Sequence, residues 1–138
     1  MLSKERTFFE KLLSLVRLSY DGPAKLKEKI RHFYDLQKLF ADSDLQNNLL
    51  SDNSFKLLRL ALGDDAKSEI FKGDWMNKPL SSSPLFNKVE ETWKALEPTF
   101  RDELSQIVWR HPLPTSGEIL TLLNSLKAFL ENFDKQNS

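Results

Sequence analysis

Two histidines, three acidic doublets and one concentrated set of cations are the groups in this sequence that could do chemistry. His32 and His111 each follow an arginine and lie far apart. With no H-E-x-x-H motif, no histidine pair on one helix face and no cysteine, neither a zinc set nor a thiol nucleophile can be assembled. The arginine that helical HEPN nucleases place a few residues ahead of their histidine is missing too, and "HFYDLQK" lacks the small residues of a phosphotransfer histidine. Paired carboxylates can act as general acid and base. Asp64–Asp65, Glu90–Glu91 and Asp102–Glu103 qualify by type, yet each falls in or near the opening turns of a predicted helix, where the dipole favours acids. No Walker loop, dinucleotide fingerprint or G-x-S-x-G elbow is present. The expectation is a chain that is not an enzyme and needs no cofactor or small-molecule substrate.

The cations are more suggestive. Residues 1–40 hold nine Lys and Arg against five Asp and Glu, in a chain whose formal charge is zero. On a helix running from Pro23 to about Ala41, Lys27, Arg31 and Lys38 fall within about 40° of one another, and the stripe is about 16 Å long. Tyr34 stands at its border. Such a stripe suits backbone phosphates, with the ring stacking on a base; Arg6 and Arg17 on the first helix extend it, although Glu10 lies between them. Lys56 and Arg59 are weaker candidates. The plainer alternative is a solvated helix face in which Glu28 and Asp35 pair with the stripe.

The elements that position these groups are helical. Phe8, Phe9, Leu12, Leu13, Leu15, Val16 and Tyr20 recur at helical spacing over residues 3–20, with Ser3 as a cap. Leu26, Ile30, Phe33 and Phe40 line the buried side of the second helix. A short helical turn and a third helix through "FKLLRLAL" follow, the latter stopped by Gly63, and "DDAKSEIFKG" reads as another short helix. Residues 73–84 read as a loop in which Trp75 and Met76 form an interface element. Three more helices come after it, with Pro84 and Pro98 at first helical positions and Thr115 with Glu118 as a capping box. No segment alternates with period two. An all-α fold follows, an irregular bundle of five to seven helices in one domain over residues 1–138, with the loop separating two helical halves. The absence of cysteine suits a reducing cytoplasm, and no apolar run reaches the length of a membrane span.

Over residues 85–133, "FRDEL", "IVWR" and "LPTSGE", set in the general helical pattern, resemble the helical C-terminal part of the large subunit of type I-D CRISPR effector complexes, a part also made separately as their small subunit. The resemblance implies a non-catalytic Cascade small subunit in antiviral defence, packed beside copies of itself and other subunits of a ribonucleoprotein complex. It also implies contact with target or displaced-strand DNA, for which Lys27, Arg31, Tyr34, Lys38, Arg6 and Arg17 are the nucleic-acid-binding candidates. The alternative is a helical protein-interaction module with no nucleic-acid role, an adaptor, chaperone or immunity protein, marked by an exposed apolar patch around Trp75, Met76 and Leu80.

Overall fold

The computed structural model describes residues 4–42, 47, 52–69, 73–105 and 114–136. Among the described residues the chain folds as seven α-helices, with no strand. Helix α1 (Lys4–Ser19) is central because its apolar residues surround more than one side: Phe8, Phe9, Leu12, Leu13, Leu15 and Val16 are all fully buried. Helices α2 (Pro23–Glu28), α3 (Arg31–Phe40) and α4 (Asp52–Lys67) pack around it. The turn into α2 uses Gly22 at φ 101°, open to glycine and strained for other residues, followed by Pro23 in the first turn.

Beyond α4, two 3-10 turns (Asp74–Asn77 and Leu80–Ser82) lead to a one-turn helix α5 (Pro84–Asn87), then α6 (Val89–Ser105) and α7 (Ser116–Gln136). Helix α7 lies against α3, α6 and the second 3-10 turn. Aromatic contacts knit the layers: Phe9 stacks on Phe129 of α7 at 5.9 Å, and Trp93 of α6 meets Phe33 of α3 at 5.6 Å. The capping box forms as predicted, the Glu118 amide donating to Thr115 Oγ1 and the Thr115 amide to Glu118 Oε1, both at 3.1 Å.

Four local expectations change. The second predicted helix is two, because Lys29 leaves the helical region (φ −118°, ψ 32°) and the hydrogen bonds tighten to a 3-10 pattern through Ile30. The stripe of Lys27, Arg31 and Lys38 therefore spans a break and is not one helix face. Gly63 does not stop α4, which runs on through Asp64 and Asp65 to Lys67, so that doublet sits in the closing turns of a helix and not in the opening ones. Pro98 lies inside α6, since "SPLFNKVEETWKALE" and "PTFRDELS" join there. Trp75 and Leu80 belong to the buried core at 7% and 3% exposure, so the exposed patch of the interaction-module reading is not formed there. Ser3, His111 and the "IVWR" segment with Trp109 lie outside the described residues.

Candidate functional site

Helix α1 is apolar on most sides, and its remaining polar residues are collected on one edge. Arg6, Glu10, Ser14 and Arg17 follow one another at spacings of four, four and three, with Thr7 and Lys11 beside them. This edge faces the end of α4 and the start of α3. Together they enclose a cleft of about 470 Å³, lined by the α1 residues, His32, Asp64, Asp65 and Ser68. That volume is in the range of small-ligand sites, although the lining is far more polar than usual for one.

Charge pairs hold the cleft together. The Arg6 guanidinium donates to Glu10 Oε1 at 2.9 Å and to Asp64 Oδ2 across the cleft. The hydrogen bonds to Glu10 and then Asp64 raise its already high pKa further. These contacts also explain the placement of the acidic doublet: carboxylates in the last turns of a helix oppose its dipole, and here α1 supplies the offsetting charge. Asp65, half-buried, is pushed above the usual carboxylate range first by burial, with Glu10 adding to the rise and Arg17 opposing it.

On the α3 side, Lys11 Nζ stands 3.2 Å from Asp35 Oδ2. The half-buried His32 ring is held below its ordinary pKa, first by burial and then by Lys11, with Asp35 pulling upward and Lys29 downward. The resulting site has three cations for anionic oxygens, carboxylates able to accept from hydroxyl and ring N–H groups, and an imidazole biased to the neutral form. No cluster of three His, Cys, Asp or Glu among the described residues is arranged to hold a metal ion.

Of the residues selected from the sequence, Arg6 and Arg17 line this cleft, whereas Lys27, Arg31, Tyr34 and Lys38 do not. Lys27, Arg31 and Lys38 are exposed. Lys38 lies over the Tyr34 ring, 5.4 Å from its centroid, and Tyr34 is itself packed against the core. Lys11, His32, Asp35, Asp64 and Asp65 are what the sequence reading missed as a set. By sequence alone Asp35 reads as a partner for the basic stripe, and the doublet as a helix start. The usable signal was the polar edge of α1, a narrow seam on an otherwise buried helix.

A second cleft, of about 400 Å³, lies between α4, the 3-10 turns and the end of α7, with Arg59, Lys78 and Phe133 among its lining. At its edge the Asp134 carboxylate accepts from the Leu80 and Ser81 amides at 3.1 and 2.9 Å and from the Ser81 hydroxyl at 2.6 Å. No described helix is long and apolar enough to cross a membrane.

The model of the family described as "Nucleotidyl transferase AbiEii toxin, Type IV TA system" matches residues 1–132. No curated protein and no solved structure matches the chain. The family match covers nearly the whole length and overturns the likeness to a CRISPR Cascade small subunit, which rested on short segments in the second half. The non-enzyme expectation falls with it, because the family is named for a group-transfer reaction. In place of effector subunits and their DNA, the partner that a toxin–antitoxin system implies is an antitoxin. The chain belongs to the AbiEii nucleotidyl transferase toxin family of type IV toxin–antitoxin systems.

Proposed function

We propose that the chain serves nucleotidyl transfer in a cytoplasmic toxin, and that the cleft between α1, α3 and α4 holds the polyphosphate of the nucleotide donor. The observation that carries this reading is the gathering of Arg6, Lys11 and Arg17 from one helix edge onto a cleft shared with His32, Asp64 and Asp65. Arginine and lysine bind phosphate oxygens through short charge-assisted hydrogen bonds. When a triphosphate enters, its oxygens take over from the carboxylates that now hold Arg6 and Lys11, and the displaced carboxylates become acceptors for the sugar hydroxyls. The cleft suits the phosphates and sugar of one nucleotide. The antitoxin is the protein partner of this reading.

The test is calorimetric titration of the purified chain with each nucleoside triphosphate, in parallel with transfer of α-32P label to a cell lysate. Binding that weakens about tenfold for Lys11→Ala and for Arg17→Ala, each a loss of about 1.4 kcal/mol, is the expected result. Binding that survives loss of both cations removes the cleft from the function.

A further inference from the structure

The second cleft sets cations beside apolar groups, unlike the polar first one. The Arg59 guanidinium lies over the Phe133 ring, 5.8 Å from its centroid, and the exposed Lys78 ammonium lies over the Tyr20 ring at 5.2 Å. A ring face steadies a cation through its quadrupole without neutralising the charge. The acid in the lining is Asp134, whose carboxylate already accepts from the Leu80 and Ser81 amides and the Ser81 hydroxyl. Two cations, one from α4 and one from the link between the 3-10 turns, thus share the lining with one carboxylate that is engaged by its own chain. The rest of the lining is largely apolar, with Leu62, Met76, Pro79 and Phe133, the last braced by Phe55 at 5.7 Å. The unbranched thioether of Met76 adapts to the shape of what it covers.

We propose that this cleft is a binding site for a carboxylate carried on an apolar body. It holds whether or not the first cleft takes a nucleotide. Lys78 and Arg59 meet the carboxylate oxygens through charge-assisted hydrogen bonds, and a planar guanidinium can engage both oxygens at once. The apolar body leaves water against Leu62 and Met76, which are only partly buried in the chain alone. A bare phosphate uses the cations and leaves that apolar lining wet, and an uncharged apolar group leaves the cations without a partner from the ligand. At about 400 Å³ the cleft lies at the small end of ligand sites and suits one such group. Two sources supply this chemistry: a free aryl or alkyl carboxylic acid, and the C-terminal residue of a protein chain.

The experiment follows the backbone amide resonances of the full, isotope-labelled chain during separate titrations. The probes are hydrocinnamate, acetyl-glycyl-glycyl-phenylalanine as the free acid, the amide of each, and inorganic phosphate. Saturable shifts centred on Met76, Asn77 and Lys78 are expected with an acid, about tenfold weaker binding with its amide, and no shift there with phosphate at the same concentration. Lys78→Ala, a change at an exposed residue, should weaken the acid about tenfold and leave the thermal transition in place, and Lys78→Arg should restore the binding. Shifts with hydrocinnamate as well as the peptide support the site and make a free acid sufficient; shifts with the peptide alone support it and assign it to a protein C-terminus. The proposal is overturned by the absence of a saturable shift from either acid at about 10 mM. It is equally overturned by amides that bind as tightly as the acids, by phosphate that moves the same resonances, or by an affinity that ignores Lys78→Ala.

Discussion

The Lys11 ammonium stands 3.2 Å from the Asp35 carboxylate and ties α1 to α3 at the edge of the polar cleft. Both side chains are partly exposed, so water and salt screen the pair. A double-mutant cycle with Lys11→Ala and Asp35→Ala is expected to give a coupling of about 0.2–1 kcal/mol in urea denaturation, shrinking as salt is added. A coupling near zero at low salt means that the contact does not fix the two helices.

His32 gives the fold a pH dependence with a definite sign. Burial, Lys11 and Lys29 lower its folded-state pKa below the ordinary 6.5, so the unfolded chain binds the proton more tightly. Stability contributed by the neutral ring is therefore present above about pH 6.5 and is lost as the pH falls through the window between the unfolded and folded values. Urea midpoints should drop across that window in wild type and drop less in His32→Gln, which does not titrate. Asp65 carries the opposite sign: burial raises its folded-state pKa, so its ionisation costs the fold stability as pH rises, and the two effects are separable with Asp65→Asn.

The helical class was readable because leucine and phenylalanine recur at helical spacing and no segment alternates. The Thr115 and Glu118 capping box was readable because it is built from four consecutive residues. What could not be read depended on partners distant in sequence. Gly63 is a plausible stop by propensity alone, yet α4 continues through it to Lys67. The dipole argument placed Asp64 and Asp65 at a helix start; Arg6, 58 positions away, is what holds Asp64 at a helix end. Similarly, the basic stripe assumed a continuous helix, and one residue, Lys29, interrupts it.

Phe33 of α3 gives a direct test of the core. Phe33 is fully buried and packs against Trp93. Phe33→Ala should cost about 3–5 kcal/mol, measured by denaturant unfolding, and a loss under about 1 kcal/mol would mean that α6 closes over the gap. Gly22→Ala tests the backbone alone, because nothing lies within 4 Å of the added methyl group. At φ 101° it should cost about 1–3 kcal/mol.

The exposed cations of α2 and α3 allow a separate test. We propose that Lys27, Arg31 and Lys38, with Tyr34, bind a polyanionic acceptor outside the cleft. Replacing the three cations with alanine should leave triphosphate binding unchanged. It should also weaken binding of a single-stranded RNA and flatten its salt slope by up to about two, about 0.7 for each phosphate that is no longer neutralised. An unchanged slope assigns these residues to solubility.

Asp134 lies in the last turn of α7, where the helix dipole disfavours an acid, and its position has the same kind of cause as that of Asp64. Its carboxylate takes three hydrogen bonds from Leu80 and Ser81, so one side chain closes the start of the second 3-10 turn against the end of α7. Asp134→Ala leaves two backbone amides in a partly buried place without an acceptor. The expected cost is about 1.5–3 kcal/mol in denaturant unfolding, together with faster proteolytic cutting between Asn77 and Ser83. Asp134→Asn keeps one carbonyl acceptor and should recover part of the loss. If cutting stays slow in the alanine variant, the segment is held by the burial of Trp75 and Leu80 and not by the carboxylate.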